Sequence, residues 1–225
     1  MEPSIETPVL EETVVPNIKR VLSVDIGIKN LAFCITDFNM DDKTFDLVCV
    51  EKACIGNVKQ TCYTLSIALM DFMRSSVSVN EKPIDHILIE NQVSRSIKNT
   101  VLGYTCLSHF YTLSKVEENV SFVNFISPRN KFKAIEAYFP GTLEKYDTDH
   151  CKAPSKDLKK LSVQIAKDIF NDMNIKTGLE AMAEFKPKLD DVSDVFLQSF
   201  GIFLNNDSSE SGNPLKLKKR RKTKA

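Results

Sequence analysis

The sequence contains no tryptophan, three histidines and only seven glycines among its 225 residues. It has no apolar run near the roughly 18 residues that a membrane-spanning helix needs, so we predict no membrane association. The six cysteines form no Cys-x-x-Cys pair, and His150-Cys151 has no second pair at zinc-ligand spacing, which argues against a zinc site. Because most of the cysteines lie in apolar runs, we expect buried, reduced thiols and an intracellular, reducing compartment.

Both ends of the chain lack the apolar patterning of a core. Residues 1–18 are acidic and contain proline but no basic or apolar region typical of a signal peptide, so we predict a flexible leader. Residues 205–225 carry seven basic and two acidic residues, a net charge of +5 in a chain whose total is zero. This composition predicts a disordered basic tail for phosphate contact or nuclear import, although a merely solubilising tail remains open. Residues 19–204 are then expected to form one domain.

The most informative stretch is Arg20–Phe38, where two apolar runs flank the turn that follows Asp25-Ile26-Gly27. Short apolar runs bounded by turn residues predict two buried strands joined as a hairpin. A carboxylate inside such a run costs several kcal/mol (about 2–7) unless it is protonated, paired or bound to a metal ion. Asp25 is therefore a candidate functional residue, with a simple turn-capping role as the alternative.

The remaining periodicity predicts an α/β fold in which helices cover both faces of a mixed five-stranded sheet. The first three strands should form an antiparallel meander, and the strand after the first crossover helix should lie parallel to the first strand. Residues 173–186 give no clear pattern, and residues 141–154 are expected to be a long loop. The predicted strands are residues 20–26, 31–38, 44–54, 84–90 and 121–126, and the predicted helices are residues 57–74, 94–113, 131–140, 156–173 and 188–204.

Apolar residues at helical spacing give each long helix a predicted inward face. In the first helix this face contains Val58, Cys62, Leu65, Leu69 and Phe72. In the second it contains Ile97, Val101, Tyr104, Leu107 and Tyr111. The later helices carry Leu158, Leu161, Ile165 and Ile169, and then Leu189, Val192, Phe196, Ser199 and Phe203.

Three further carboxylates occur in apolar settings like that of Asp25. Glu90 ends the fourth strand, and Asp191 and Asp194 lie three residues apart on one flank of the last helix. If the first and fourth strands are neighbours, packing that helix on the sheet brings all four acids together. Carboxylates so close repel one another and need cations, and hard oxygen ligands favour Mg²⁺ or Mn²⁺.

The segments Asp25–Asn30 (DIGIKN), Leu88–Gln92 (LIENQ) and Lys188–Asp194 (KLDDVSD) resemble the three acidic motifs of the RuvC-like Holliday junction resolvases, above all those of poxviruses and other large DNA viruses. Ser127-Pro128 and the run Lys159–Val163 are also similar to the viral form. The resemblance covers residues 20–204. It implies an RNase H-like fold with strands 1-2-3 antiparallel and 1-4-5 parallel, a homodimer, and paired nicks across four-way DNA junctions.

The resemblance also implies roles for individual residues. Asp25, Glu90, Asp191 and Asp194 would be catalytic and would bind two Mg²⁺ ions, for which Mn²⁺ would substitute. A lysine assists in this family, and its pattern points to Lys160, with Lys131, Lys156 and Lys159 as rivals. The expected DNA-binding residues are Lys29, Arg95, Lys98, Lys131 and Lys159.

Three alternatives remain at this stage. Actin-like kinases and ATPases also begin with a strand and Asp-x-Gly, but the chain has no second Asp-x-Gly and few glycines for phosphate loops, so we predict no nucleotide cofactor. An RNase H-like nuclease acting on flaps or forks and a non-catalytic junction-binding protein both stay open. The expected location is the nucleus or a cytoplasmic site of viral DNA replication.

Overall fold

The computed structural model describes residues 16–77, 82–92, 96–116, 120–146, 152–186 and 188–204. Most of the predicted leader, the whole basic tail and part of the predicted loop at 141–154 lie outside the described residues. No helix in the described ranges is both long and apolar enough to cross a membrane.

In the part of the chain that the structure describes, five strands form one sheet: β1 (Ile18–Asp25), β2 (Leu31–Asn39), β3 (Thr44–Ala53), β4 (Ile84–Glu90) and β5 (Val120–Ile126). Their order is β3-β2-β1-β4-β5. The pairs β1–β2 and β2–β3 are antiparallel, whereas β1–β4 and β4–β5 are parallel, which confirms the predicted mixed sheet. β1 lies at the centre, and the side chains of Val21–Val24 are fully buried because helices cover both faces of the sheet.

Among the described residues the α-helices are α1 (Cys62–Ser76), α2 (Ile97–Val116), α3 (Asn130–Tyr138), α4 (Ser155–Asp172), α5 (Lys176–Glu184) and α6 (Asp190–Ser199). α1 begins later than predicted because the Thr61 hydroxyl accepts a hydrogen bond from the Thr64 amide and caps the helix. α5 occupies the segment whose pattern was unclear. The last predicted helix ends at Ser199 and continues as the 3₁₀ helix Phe200–Leu204, and a second 3₁₀ helix spans Leu143–Lys145.

The two faces of the sheet carry separate hydrophobic cores. α1 and α2 cover one face, where Leu65 and Phe110 pack with the side chains of Val24 and Ile89. The other face is covered by α3, α4 and α6, with Phe170 and Phe196 in its core. Val21 and Leu88 point into this second core. Because side chains alternate along a strand, the residues that follow at positions 23, 25 and 90 point the same way.

The face of α2 that the sequence predicted to be inward is in fact exposed. Ile97 is 76% exposed, Tyr104 58% and Tyr111 56%, and only Leu107 of the predicted face is partly buried. The residues that contact the core are Leu102, Gly103, Cys106 and Phe110. α2 carries apolar side chains on two faces, and the face that contains Phe110 packs on the sheet. Val58, also predicted inward, precedes α1 and is 63% exposed.

α6 is fixed to the sheet by buried polar contacts as well as by apolar packing. The Gln198 side chain is 2% exposed, and its Nε2 donates to the carbonyl oxygens of Val24 at 3.2 Å and Leu88 at 3.0 Å. The Cys34 thiol donates to the Val195 carbonyl at 3.2 Å. These contacts set the position of α6 above β1 and β4, and they therefore set the position of the acids in its first turns.

Replacing Gln198 tests this anchoring. We expect Gln198→Leu to lower the free energy of unfolding by about 1–3 kcal/mol, because two buried carbonyls lose a donor that an apolar side chain cannot replace. Urea unfolding followed by circular dichroism measures the change. Gln164→Leu on the exposed face of α4 is the control and should change stability by less than about 0.5 kcal/mol. Equal effects of the two substitutions would contradict the anchoring role.

Candidate functional site

Two of the predicted acids lie side by side at the end of the sheet. The parallel register of β1 and β4 pairs Val24 with Ile89, so that the next residues on the two strands, Asp25 and Glu90, are neighbours. Both side chains point to the face covered by α3, α4 and α6, because they alternate with Val24 and Ile89 in the opposite core. The carboxyl ends of two adjacent parallel strands thus carry a pair of carboxylates.

The other two acids approach this pair from α6. Asp191 and Asp194 lie in the first turns of the helix, and each is 8% exposed. Both raise the pKa of Asp25 through their charge, and Asp194 also raises the pKa of Glu90. The structure therefore brings together all four acids that the sequence singled out, from three separate parts of the chain.

Crowding shifts the proton affinities of the strand-end acids. Burial, followed by the charges of Asp194 and Asp191, raises the pKa of Asp25 to about 7. Burial, followed by the charges of Asp25 and Asp194, raises the pKa of Glu90 to about 8. Gln92 partly offsets this by donating a hydrogen bond from Nε2 to Asp25 Oδ1 at 3.3 Å. The neighbouring positive charges and hydrogen bonds therefore do not fully compensate the negative charge of the four acids.

Two lysines lie against the α6 acids. The Lys131 ammonium at the start of α3 is 2.5 Å from Asp194 Oδ1, and the Lys52 ammonium near the end of β3 is 2.5 Å from Asp191 Oδ2. Both carboxylate oxygens are buried, and neither accepts a hydrogen bond of normal geometry. The lysines therefore act on these oxygens mainly as close positive charges.

Lys52 was not identified from the sequence, although strand register would have revealed it. Lys52 pairs with Ala32 on β2, and Ala32 pairs with Asp25 on β1. The three residues form one row across the sheet, and their side chains share one face. In the sequence alone, Lys52 is one charged residue in an alternating strand, and the row becomes visible only once both pairings are known.

The donor set suits a hard divalent cation. Carboxylate oxygens are the ligands that Mg²⁺ and Mn²⁺ prefer, and Asp191 and Asp194 add their buried oxygens to the charge around Asp25. In the described part of the chain, no three acidic, histidine or cysteine side chains converge closely enough to hold an ion as they stand. The ammonium groups of Lys52 and Lys131 lie beside the acids instead.

The lysine expected to assist catalysis is not among these groups. The Lys160 side chain is 72% exposed, and its ammonium lies 3.9 Å from Asp157 on the same helix. On α4 the inward positions include Leu161 and Ile165, and Lys160 lies outside that stripe. The structure brings Lys131 to the acids instead, so the placement of Lys160 does not support the role that the sequence pattern gave it.

The remaining predicted DNA contacts have different environments. The Lys98 ammonium donates to the carbonyl oxygens of Val58 at 2.6 Å and Gln60 at 2.5 Å, so it holds the segment between β3 and α1. Lys29 is exposed in the turn after β1. Lys159 forms an ion pair with Asp190 and is still half exposed. Arg95 lies outside the described residues.

A cleft of about 370 Å³ opens beside the acids. Glu90 and Asp194 form its acidic wall, and Arg129, Lys131 and Lys159 supply positive charge around it. Ser127-Pro128, the pair noted in the sequence after the fifth strand, also lines this cleft. Negative and positive side chains thus face the same space, as a site for a phosphodiester and its metal ions requires.

Comparison of the sequence with protein-family models and with curated protein sequences gives no match. Comparison of structures gives three informative similarities. The yeast mitochondrial Holliday junction resolvase Ydc2 is 18% identical, with 82% of this chain and 79% of that chain covered and a TM-score of 0.58. Fowlpox virus resolvase in complex with Holliday junction DNA is 19% identical, with 83% and 97% covered and a TM-score of 0.54.

The third similarity is to Thermus thermophilus RuvC, which is 14% identical, with 83% of this chain and 96% of that chain covered and a TM-score of 0.50. At these identities the similarity concerns the fold. The chain has the RuvC-type, RNase H-like fold that its sequence motifs predicted, including the strand order and the parallel β1–β4–β5 arrangement.

The raised pKa values make the stability of the metal-free protein pH-dependent. Asp25 and Glu90 bind protons more tightly in the folded chain than in the unfolded chain, so stability is greatest below their unfolded pKa values and falls as the pH rises through the folded ones. In EDTA we expect the Tm to fall between about pH 5 and about pH 8. Asp25→Asn should flatten this slope and stabilise the protein at the upper end. A wild-type Tm that rises over this range would contradict the prediction, and differential scanning calorimetry measures it.

Proposed function

We propose that this protein is a metal-dependent Holliday junction resolvase, an endonuclease that makes paired, symmetric nicks in four-way DNA junctions. The observation that carries the proposal is the convergence of Asp25, Glu90, Asp191 and Asp194 at one edge of an RNase H-like sheet. Four carboxylates at such a place destabilise the protein unless they serve a cation. The similarity in fold to resolvases from yeast mitochondria and fowlpox virus supports this choice among the nucleases.

The four acids would hold two Mg²⁺ ions, or Mn²⁺ in their place. Bound ions of this kind make a water molecule nucleophilic and stabilise negative charge on the leaving 3′-oxygen. Asp25 is coupled to Asp191 and Asp194 by charge, which suits a ligand shared by both ions. Gln92 keeps the Asp25 carboxylate oriented through its hydrogen bond.

Lys131 is the lysine best placed to assist the reaction. It lines the cleft, contacts Asp194 and is 5% exposed, so its charge acts in a region of low dielectric. There it would offset the charge that builds on the scissile phosphate. Arg129 and Lys159, at the same cleft, would hold the DNA backbone, and contacts by Lys29, Arg95 and Lys98 stay predictions.

Paired nicks require two active sites, and the described residues of one chain form one such acidic cluster, so we propose that the enzyme is a homodimer. Exposed apolar surface supports this. α1 and α2 are joined by a hydrogen bond between Ser66 and Thr105, and both carry exposed apolar side chains. Large exposed apolar patches mark interfaces. The exposed side chains of the two helices include Tyr63, Ile67, Ile97, Val101, Tyr104 and Tyr111.

We also propose a cellular setting. The five cysteines in the described ranges are all free thiols, which suits a reducing, intracellular compartment. The basic residues of the 205–225 segment suit DNA contact or import into a nucleus. The likeness of the sequence motifs to poxvirus resolvases favours the processing of recombination and replication intermediates at sites of viral DNA synthesis.

Cleavage of a synthetic, end-labelled four-way junction tests the proposal. With Mg²⁺ or Mn²⁺, the wild-type protein should make nicks at symmetric positions in opposing strands. Asp25→Asn should lower the rate by at least about 100-fold, because a shared metal ligand is lost, while junction binding in Ca²⁺ persists. On a supercoiled cruciform plasmid, a dimer should cut both strands before it dissociates and should therefore give linear product.

Other outcomes of the same assay would favour the alternatives. Faster cutting of flaps or forks without symmetric nicks would retain the nuclease but change its substrate. Tight junction binding with no cleavage in either metal would indicate a junction-binding protein. Nicked circles that accumulate before linear plasmid would contradict the dimer.

The identity of the assisting lysine is tested separately. Lys131→Met should lower the cleavage rate by about 10²–10³-fold with junction affinity nearly unchanged, because the charge beside the scissile phosphate is lost. Lys160→Met should leave the rate within about twofold, since that side chain is exposed and remote from the acids. The opposite result would restore the original assignment to Lys160. Thermal unfolding of both variants confirms that each is folded.

A further inference from the structure

The Lys52 ammonium makes contacts that the proposed reaction does not require. Its side chain is 14% exposed, the side chain of Asp191 is 11% exposed, and their ion pair is the closest contact that either makes with an opposite charge. The same ammonium lies 3.3 Å from the carbonyl oxygen of Lys188, which it contacts as a donor. Lys52 thus contacts the chain on both sides of the point where α6 begins.

The position of Lys52 makes this contact specific rather than incidental. β3 is an edge strand, and Lys52 reaches inward along the row that continues through Ala32 to Asp25. Ala32 is fully buried and has a short side chain, so nothing larger separates the lysine from the acids in that row. A long, straight side chain at position 52 can therefore place its charge beside the acidic cluster while its stem lies against the core.

The charge of the cluster explains why a resident cation is needed. Asp191 is nearly buried and close to Asp25, and its Oδ2 accepts no hydrogen bond of normal geometry. Leu189 at the N-cap provides no side-chain cap, so the start of α6 depends on other contacts. Without a positive charge at Lys52, repulsion between carboxylates would push Asp191 and the first turn of α6 away from the sheet.

We propose that Lys52 is a positioning residue that holds Asp191 in the metal-free protein, and that a divalent cation displaces its ammonium from Asp191 on binding. The proposal rests on the metal binding of the proposed function. Both cations compete for one carboxylate, so by linkage each lowers the affinity of the site for the other. Lys52 would keep the acidic site assembled between catalytic cycles at the expense of metal affinity.

The first experiment uses the unmodified full-length protein. A short pulse of N-acetoxysuccinimide acetylates exposed lysines, and peptide mass spectrometry then measures the rate at Lys52 with EDTA and with saturating Mn²⁺. We expect Mn²⁺ to raise this rate by at least about fivefold, because the ammonium is released from its ion pair. Lys19, which pairs with Asp85 at 3.0 Å at the opposite end of β1, is the internal control and should not change. An unchanged or lower rate at Lys52 would overturn the proposal.

The second experiment measures Mn²⁺ binding by calorimetry without DNA. Lys52→Met keeps the stem and removes the charge, and we expect about tenfold tighter binding because a competing cation is lost. In EDTA the same variant should have a Tm lower by about 5 °C. Lys52→Arg retains a charge and should bind Mn²⁺ within about threefold of the wild type. Lys19→Met removes a more exposed Lys–Asp pair and should change neither the affinity nor, by more than about 1 °C, the Tm.

The sign of the affinity change separates competition from a purely structural tether. If Lys52 only held α6 in place, Lys52→Met would weaken Mn²⁺ binding, and that result would overturn the proposal. Absence of Mn²⁺ binding by the wild type would overturn both this proposal and the metal-dependent function. Normal Mn²⁺ binding with no change in Lys52→Met would overturn this proposal alone and leave the proposed function standing.

Discussion

The mutual repulsion of crowded carboxylates is the constraint on which the rest of this structure depends. Asp25 and Glu90 are fixed at the ends of adjacent parallel strands and cannot move apart without breaking the sheet. Asp191 and Asp194 are held above them by a helix whose lower part is bonded to the same two strands through Gln198. Keeping these like charges together lowers the free energy of unfolding, as expected where stability is reduced in favour of function.

Two lysines on the surrounding elements relieve part of that repulsion. Lys131 comes from the start of α3 and Lys52 from the far edge of the sheet, so cations from opposite sides contact the two α6 acids. Neither lysine contacts Asp25 directly, and the pKa values of Asp25 and Glu90 stay raised. The uncompensated negative charge is therefore greatest at the ends of β1 and β4, where divalent ions would be bound most strongly.

The sequence predicted the strand order, and with it the adjacency of Asp25 and Glu90, because each strand gives a local signal. Asp25 and Glu90 each end an apolar run, and register alone makes them neighbours. The prediction of the inward face of α2 was wrong because the helix carries two apolar stripes of similar strength. Ile97 and Tyr104 belong to the stripe that faces outward. The sequence prediction missed Lys52, and it named Lys131 only as a DNA contact and as a rival to Lys160, since no local pattern shows which lysine among many reaches an acid across the sheet.

The row that joins Lys52 to Asp25 places an unusual demand on Ala32, a residue without functional groups. Ala32 is fully buried between the two charged neighbours, beneath the helices that cover this face. A valine or leucine there would fill the space through which the lysine reaches the acids, although either residue suits a buried strand equally well by hydrophobicity. The volume of the side chain at position 32 therefore decides whether the Lys52 charge can lie beside the acids. A larger apolar residue there would have the same effect on the acids as removal of the Lys52 charge, although it would be compatible with a hydrophobic core.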